Sequence, residues 1–100
     1  MDDKNPKGDL ENAPLHIAAE NGHFDICQLI IDNVDDKNPK NYFKTTPLHI
    51  AARNGHMKIC QLICKHVKEK NPRNNAGKTP IEEAYSCRKW KIVKFLKLYK

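Results

Sequence analysis

The sequence predicts an all-α solenoid of stacked helix–turn–helix units, and three observations in one register carry that prediction. Residues 13–30, APLHIAAENGHFDICQLI, return as residues 46–63, TPLHIAARNGHMKICQLI, after an interval of 33 residues. The triplet Lys-Asn-Pro keeps the same beat at Lys4, Lys37 and Lys70. Thr79-Pro80-Ile81 then follows Thr46-Pro47-Leu48 by 33 residues again. Self-similarity at this period means supersecondary units whose apolar faces are covered by their neighbours.

The units are read in order as residues 1–7, 8–40, 41–73 and 74–100. Residues 1–6, MDDKNP, match residues 34–39, VDDKNP, from the second residue on, so residues 1–7 are the tail of a preceding unit. An array that opens in mid-unit exposes the apolar face of its first full unit, which predicts end-to-end self-association through that face. The close match of the first two full units reads either as a piece of a longer array or as a consensus-like assembly.

The second unit shows why each element forms. Thr46 can cap a free backbone N–H and Pro47 fits the first helical position, where no donor is needed. A first helix runs from there through Leu48, Ile50, Ala51 and Ala52 to Asn54. Gly55 stops it by adopting the left-handed conformation. A second helix starts near Met57, with Ile59, Cys60, Leu62 and Ile63 as its apolar stripe and Lys58, Gln61 and Lys65 on the wet side, and ends before Asn71-Pro72. The alanine pairs Ala18-Ala19 and Ala51-Ala52 let the first helices of neighbouring units approach closely. Connecting stretches such as residues 37–45, KNPKNYFKT, are rich in Asn, Pro and Lys, and project as hairpin-like fingers built on turns.

Thr46-Pro47-Leu48-His49-Ile50-Ala51-Ala52 with Gly55-His56, and Pro14-Leu15-His16-Ile17-Ala18-Ala19 with Gly22-His23, resemble the signature of the ankyrin repeat. The resemblance covers essentially the whole chain and implies an ankyrin-repeat solenoid with β-turn fingers. Departures stand out against it. Val34-Asp35-Asp36 and Val67-Lys68-Glu69 lack the glycine that ends the family's second helix, so that helix is expected to fray or to run on by a turn. In the third unit Glu82-Glu83 replace His-Ile, Tyr85 replaces the second Ala, Arg88-Lys89 replace Gly-His, and Trp90 stands where Met57 and Phe24 do. Residues 74–100 are therefore read as a C-terminal cap.

Composition narrows the function classes. No apolar stretch approaches the length that spans a bilayer, and the opening MDDKNPKGD does not resemble a secretory signal, which points to an intracellular, cytoplasmic chain. The four cysteines form neither a disulfide framework nor a Cys-x-x-Cys hook. Cys27 and Cys60 hold one repeat position and read as small, reduced core residues. A metal site from Cys60, Cys64 and His66 is disfavoured, because Cys64 and His66 face different ways on a helix. The net charge of +6 is unevenly spread, with −2 over residues 1–63 and +8 over residues 64–100.

Catalysis lacks its parts. His16 and His49 lie three residues after a helix start, where the imidazole can bond back to the turn. Glu82 and Glu83 point apart on a helix and suit its N-terminus. No Gly-rich phosphate loop exists. The chain reads as a non-enzyme with no cofactor and no metal.

Its expected function is noncatalytic binding of a protein partner. In ankyrin-like arrays the finger tips and the exposed side of the first helices line a concave face. Carried over by position, that implicates Asp9, Leu10, Asn12, Glu20 and Asn21 in the first unit. The second unit offers Tyr42, Phe43, Thr45, Arg53 and Asn54, and the third Asn75, Ala76, Lys78 and Ser86. Tyr42 and Phe43 are the sharpest candidates, since adjacent aromatics on a polar turn fit a contact surface better than solvent. The basic amphipathic residues 88–100 offer an alternative, an electrostatic adaptor for nucleic acid or acidic membrane. A further alternative is an array with no evolved partner.

Overall fold

A computed structural model describes residues 11–99. Among the described residues, six helices follow one another: α1 (Pro14–Glu20), α2 (Phe24–Asn33), α3 (Pro47–Asn54), α4 (Met57–His66), α5 (Pro80–Ser86) and α6 (Trp90–Leu98). They pair as α1 with α2, α3 with α4 and α5 with α6. The pairs stack, α1 on α3 on α5 in one row and α2 on α4 on α6 in the other. The result is elongated, 43 × 29 × 22 Å. No strand occurs among the described residues, so the fingers are turns.

One continuous core runs between the rows. Leu15, Ala19, Cys27 and Ile31 meet Leu48, Ala51, Ile59 and Ile63, and these meet Ala84, Ile92 and Leu96. Alanine recurs where first helices touch because a larger side chain would hold the backbones apart. Cys27, Cys60 and Cys64 are buried free thiols, and Cys87 is free and exposed. Burial pushes Cys27 and Cys64 up to about 11 and raises Cys60 as well, so these thiols stay protonated.

The helix ends follow local chemistry. Thr46 Oγ1 accepts from the His49 N–H at 3.2 Å, and Thr79 Oγ1 accepts from the Glu82 N–H at 3.3 Å. Gly55 closes α3 at φ 81°. A Cβ on Gly55 would sit 3.2 Å from the Lys89 side chain, and one on Gly22, at φ 73°, only 2.8 Å from the His56 ring, so each glycine also seats a side chain of the following pair. Arg88 occupies the same left-handed position at φ 59° without being glycine.

The second helices end differently from the expectation. Neither α2 nor α4 runs on, because Val34 and Val67 turn extended at their C-caps. A lysine stands in for the missing glycine. Lys37 Nζ donates to the carbonyls of Ile31, at 2.8 Å, and of Val34, while Lys70 Nζ donates to that of Val67 at 2.7 Å. An ammonium at a helix C-terminus satisfies orphan carbonyls and complements the dipole. Asn38, the next residue of the triplet, accepts from the Leu48 N–H at 3.2 Å and so serves the start of α3. Lys37 and Asn38 thus join the end of α2 to the start of α3.

Candidate functional site

The second and third fingers are each shaped by one asparagine. Asn41 Oδ1 accepts from the N–H groups of Phe43 at 2.9 Å and Thr45 at 3.0 Å, and the Asn41 N–H donates to the Thr45 carbonyl at 2.9 Å. Asn74 repeats the arrangement, accepting from Ala76 and Lys78 at 3.0 Å each. Asn side chains favour such turns because they mimic the backbone's own hydrogen bonds. Lys44 at φ 60° and Gly77 at φ 78° take the left-handed corner of the two fingers. The fingers are joined directly, the Asn75 N–H donating to the Phe43 carbonyl at 2.9 Å.

Two buried histidines tie the fingers to the helices. The Ala13 N–H donates to His16 Nδ1 at 3.0 Å, and the Thr46 N–H donates to His49 Nδ1 at 3.1 Å. A backbone N–H only donates and a carbonyl only accepts, so the proton of each ring is on Nε2. His16 Nε2 donates to the Thr45 carbonyl and His49 Nε2 to the Lys78 carbonyl, each at 2.7 Å and each across 29 residues. Burial lowers the pKa of both rings, which holds them in this neutral form. Glu82, in the third pair, keeps the local half of the motif by accepting from the Thr79 N–H at 3.0 Å. Ionised, it has no proton to donate onward.

Between the second and third fingers lies a cleft of ≈ 400 Å³ lined by Phe43, Thr45, Arg53, Asn74, Asn75, Ala76 and Glu83. Phe43 is 47% exposed at its rim, and its ring meets that of Tyr42 edge-on at 5.8 Å between centroids. Arg53 and Glu83 are half-buried and place both signs of charge at the wall. Glu83 Oε2 accepts from Asn74 Nδ2 at 2.8 Å, which holds the carboxylate against the finger.

The structure sorts the expected contact residues. Phe43, Arg53, Asn75 and Ala76 come together in the cleft, with Tyr42 beside it. Thr45 also lines the cleft but is only 9% exposed, because the turn made by Asn41 folds it inward and its carbonyl is held by His16. Lys78 Nζ donates to Ser86 Oγ at 3.1 Å, and Asn54 is exposed at the end of α3. Asn12 and Asn21 line a separate apolar depression beside Ile17 and Ile26, and Glu20 is exposed at the end of α1. Asp9 and Leu10 lie outside the described residues. Sequence reasoning missed Asn74 and Glu83 as cleft residues. The signal for Asn74 was its 33-residue spacing from Asn41; Glu83 carried none beyond its place on a helix start.

Cys60 and Cys64 are buried while His66 is exposed, and no group of three metal-binding side chains gathers among the described residues. No helix among them is long and apolar enough to cross a membrane.

The family model for ankyrin repeats matches residues 15–100 as three copies. The chain belongs to the ankyrin repeat family. A comparison with curated proteins gives no match. Ankyrin repeats are generally noncatalytic protein–protein interaction modules. The ankyrin architecture also accounts for the recurring roles of Pro47 and Pro80 as first helical residues and of Gly22 and Gly55 as left-handed stops.

Proposed function

We propose that this ankyrin array binds a protein partner through the cleft between its second and third fingers, with Tyr42 and Phe43 as apolar anchors and Arg53 and Glu83 as the charged wall. The observation that carries this reading is the exposed edge-on pair Tyr42–Phe43 at the mouth of a cleft whose backbone is already hydrogen-bonded in place. Large aromatics beside an arginine are the residues that most often dominate binding energy. The bonds from His49 to Lys78 and from Asn75 to Phe43 hold both fingers before a partner arrives, which lowers the ordering cost of association.

Asn75 and Lys78 extend the same surface along the third finger, and Asn54 extends it along α3. Glu20, Asn21 and Asn12 belong to the opposite end of the row and contribute only to a partner long enough to span it.

The test is affinity capture with the intact chain against a Tyr42→Ala/Phe43→Ala variant. Loss of the captured partner with unchanged thermal unfolding supports the cleft. Retention of every partner at equal affinity overturns it.

A further inference from the structure

Positive charge is left over along the cleft between the second and third fingers. Arg53 is half-buried on its wall, and its guanidinium makes no hydrogen bond and no ion pair among the described residues. It stands in the last turn of α3, where a cation could serve the helix end, but backbone groups already take the carbonyls there. The Gly55 N–H donates to the Ala52 carbonyl at 3.3 Å and the His56 N–H to that of Ala51 at 2.9 Å. On the third finger the Lys78 ammonium donates to the neutral Ser86 hydroxyl at 3.1 Å. Ser86 stands in α5 where Arg53 stands in α3, 33 residues earlier, and α3 packs on α5, so both cations come to the same end of the row.

The carboxylates nearby are already engaged. Glu82 lies 3.6 Å from Arg73 and accepts from the Thr79 N–H at 3.0 Å, while Glu83 Oε2 accepts from Asn74 Nδ2 at 2.8 Å. Glu83 shares the cleft with Arg53 without forming an ion pair to it. Residues 40–54 and 73–86, which supply the two fingers and their first helices, hold five Lys or Arg (Lys40, Lys44, Arg53, Arg73 and Lys78) against these two carboxylates, a net charge of +3. A half-buried guanidinium beside an apolar rim gains most from a carboxylate, because its planar fork takes both oxygens at once and the surrounding protein weakens the screening by water.

We infer that the cleft takes an acidic segment of its protein partner, which rests on the proposed role of this cleft in partner binding. A carboxylate of the segment meets Arg53, with the Lys78 ammonium as the second cation. An apolar side chain close to that carboxylate packs on the exposed rings of Phe43 and Tyr42. Glu83, with one oxygen held by Asn74, keeps the other for a backbone N–H of the segment and repels a carboxylate placed against it. The segment is therefore selected for negative charge at the Arg53 end of the cleft and for none at the Glu83 end.

Selection of a random library of phage-displayed peptides on the immobilised intact chain tests it, with the enriched peptides then synthesised and titrated by fluorescence anisotropy. The expected peptides carry Asp or Glu close to an aromatic or aliphatic residue. Replacing those acids by Asn or Gln, or Arg53→Gln in the chain, each weakens binding by at least about tenfold, the loss of one charge-assisted pair. Arg53→Glu/Lys78→Glu reverses the selection toward Lys and Arg, a gain that a misfolded chain would not show. Peptides that need Tyr42 and Phe43 but show no preference for acids overturn the inference and leave the cleft as the binding site. Peptides that bind Tyr42→Ala/Phe43→Ala as tightly as the intact chain overturn the cleft itself. An acidic preference that survives Arg53→Gln/Lys78→Gln, or a library in which nothing is enriched, also overturns the inference.

Discussion

His49 Nε2 donates to the Lys78 carbonyl at 2.7 Å while its Nδ1 accepts from the Thr46 N–H at 3.1 Å, so one ring joins the start of α3 to the base of the next finger. His16 makes the same two bonds one unit earlier. The cleft wall is rigid because a buried imidazole offers both a donor and an acceptor in fixed directions.

His49→Ala should therefore destabilise the chain by about 3 kcal/mol, since two buried backbone groups lose their partner and a cavity opens. Urea unfolding measures it. A loss below about 1 kcal/mol would mean that water replaces the ring without cost.

Acid should destabilise the fold through the same residues. Burial places the folded pKa of His16 and His49 below the unfolded value of 6.5. The unfolded chain then binds more protons, so the contribution is complete above pH 6.5 and is lost as pH falls through the folded pKa. The slope is at most about 1.4 kcal/mol per pH unit for each ring. Unfolding midpoints between pH 7.5 and 5, compared with those of a His16→Gln/His49→Gln chain, check it; equal slopes would contradict it.

Left-handed backbone at non-glycine residues predicts the opposite sign. Lys44 at φ 60° and Arg88 at φ 59° stand where Gly77 and Gly55 occupy the matching corners. Lys44→Gly and Arg88→Gly should each raise stability by about 0.5–1 kcal/mol, the relief of the Cβ clash less the added freedom of the unfolded chain. Thermal unfolding reads the change, and a lowered midpoint for both would count against the strain.

Lys70 is expected to matter more than a surface lysine usually does. Its ammonium donates to the Val67 carbonyl at 2.7 Å and lies 5.2 Å from the centre of the Tyr99 ring. Lys70→Met should cost about 1 kcal/mol from the lost cap and cation–π contact. Hydrogen exchange in the last turn of α4 should quicken; unchanged exchange there would remove the capping role.

Much of this was legible in the residues. The 33-residue period, the Thr-Pro starts of α3 and α5 and the Gly55 stop are all interactions within one turn, so neighbouring residues specify them. The expected fraying of α2 and α4 was misplaced because the cap is a side chain arriving from Lys37 or Lys70, outside the window in which a glycine stop is sought. Thr45 read as exposed because a finger residue looks polar and solvated in sequence, yet Asn41 turns it under.

By itself the sequence determined a stack of helix pairs, their boundaries and the aromatic pair on the second finger, since capping and periodicity act over a few residues. Only the tertiary structure decided that His49 reaches Lys78 and that Asn74 and Glu83 complete a wall with Arg53. Those facts depend on side chains that packing brings together from neighbouring units, and a local pattern carries no direction in space.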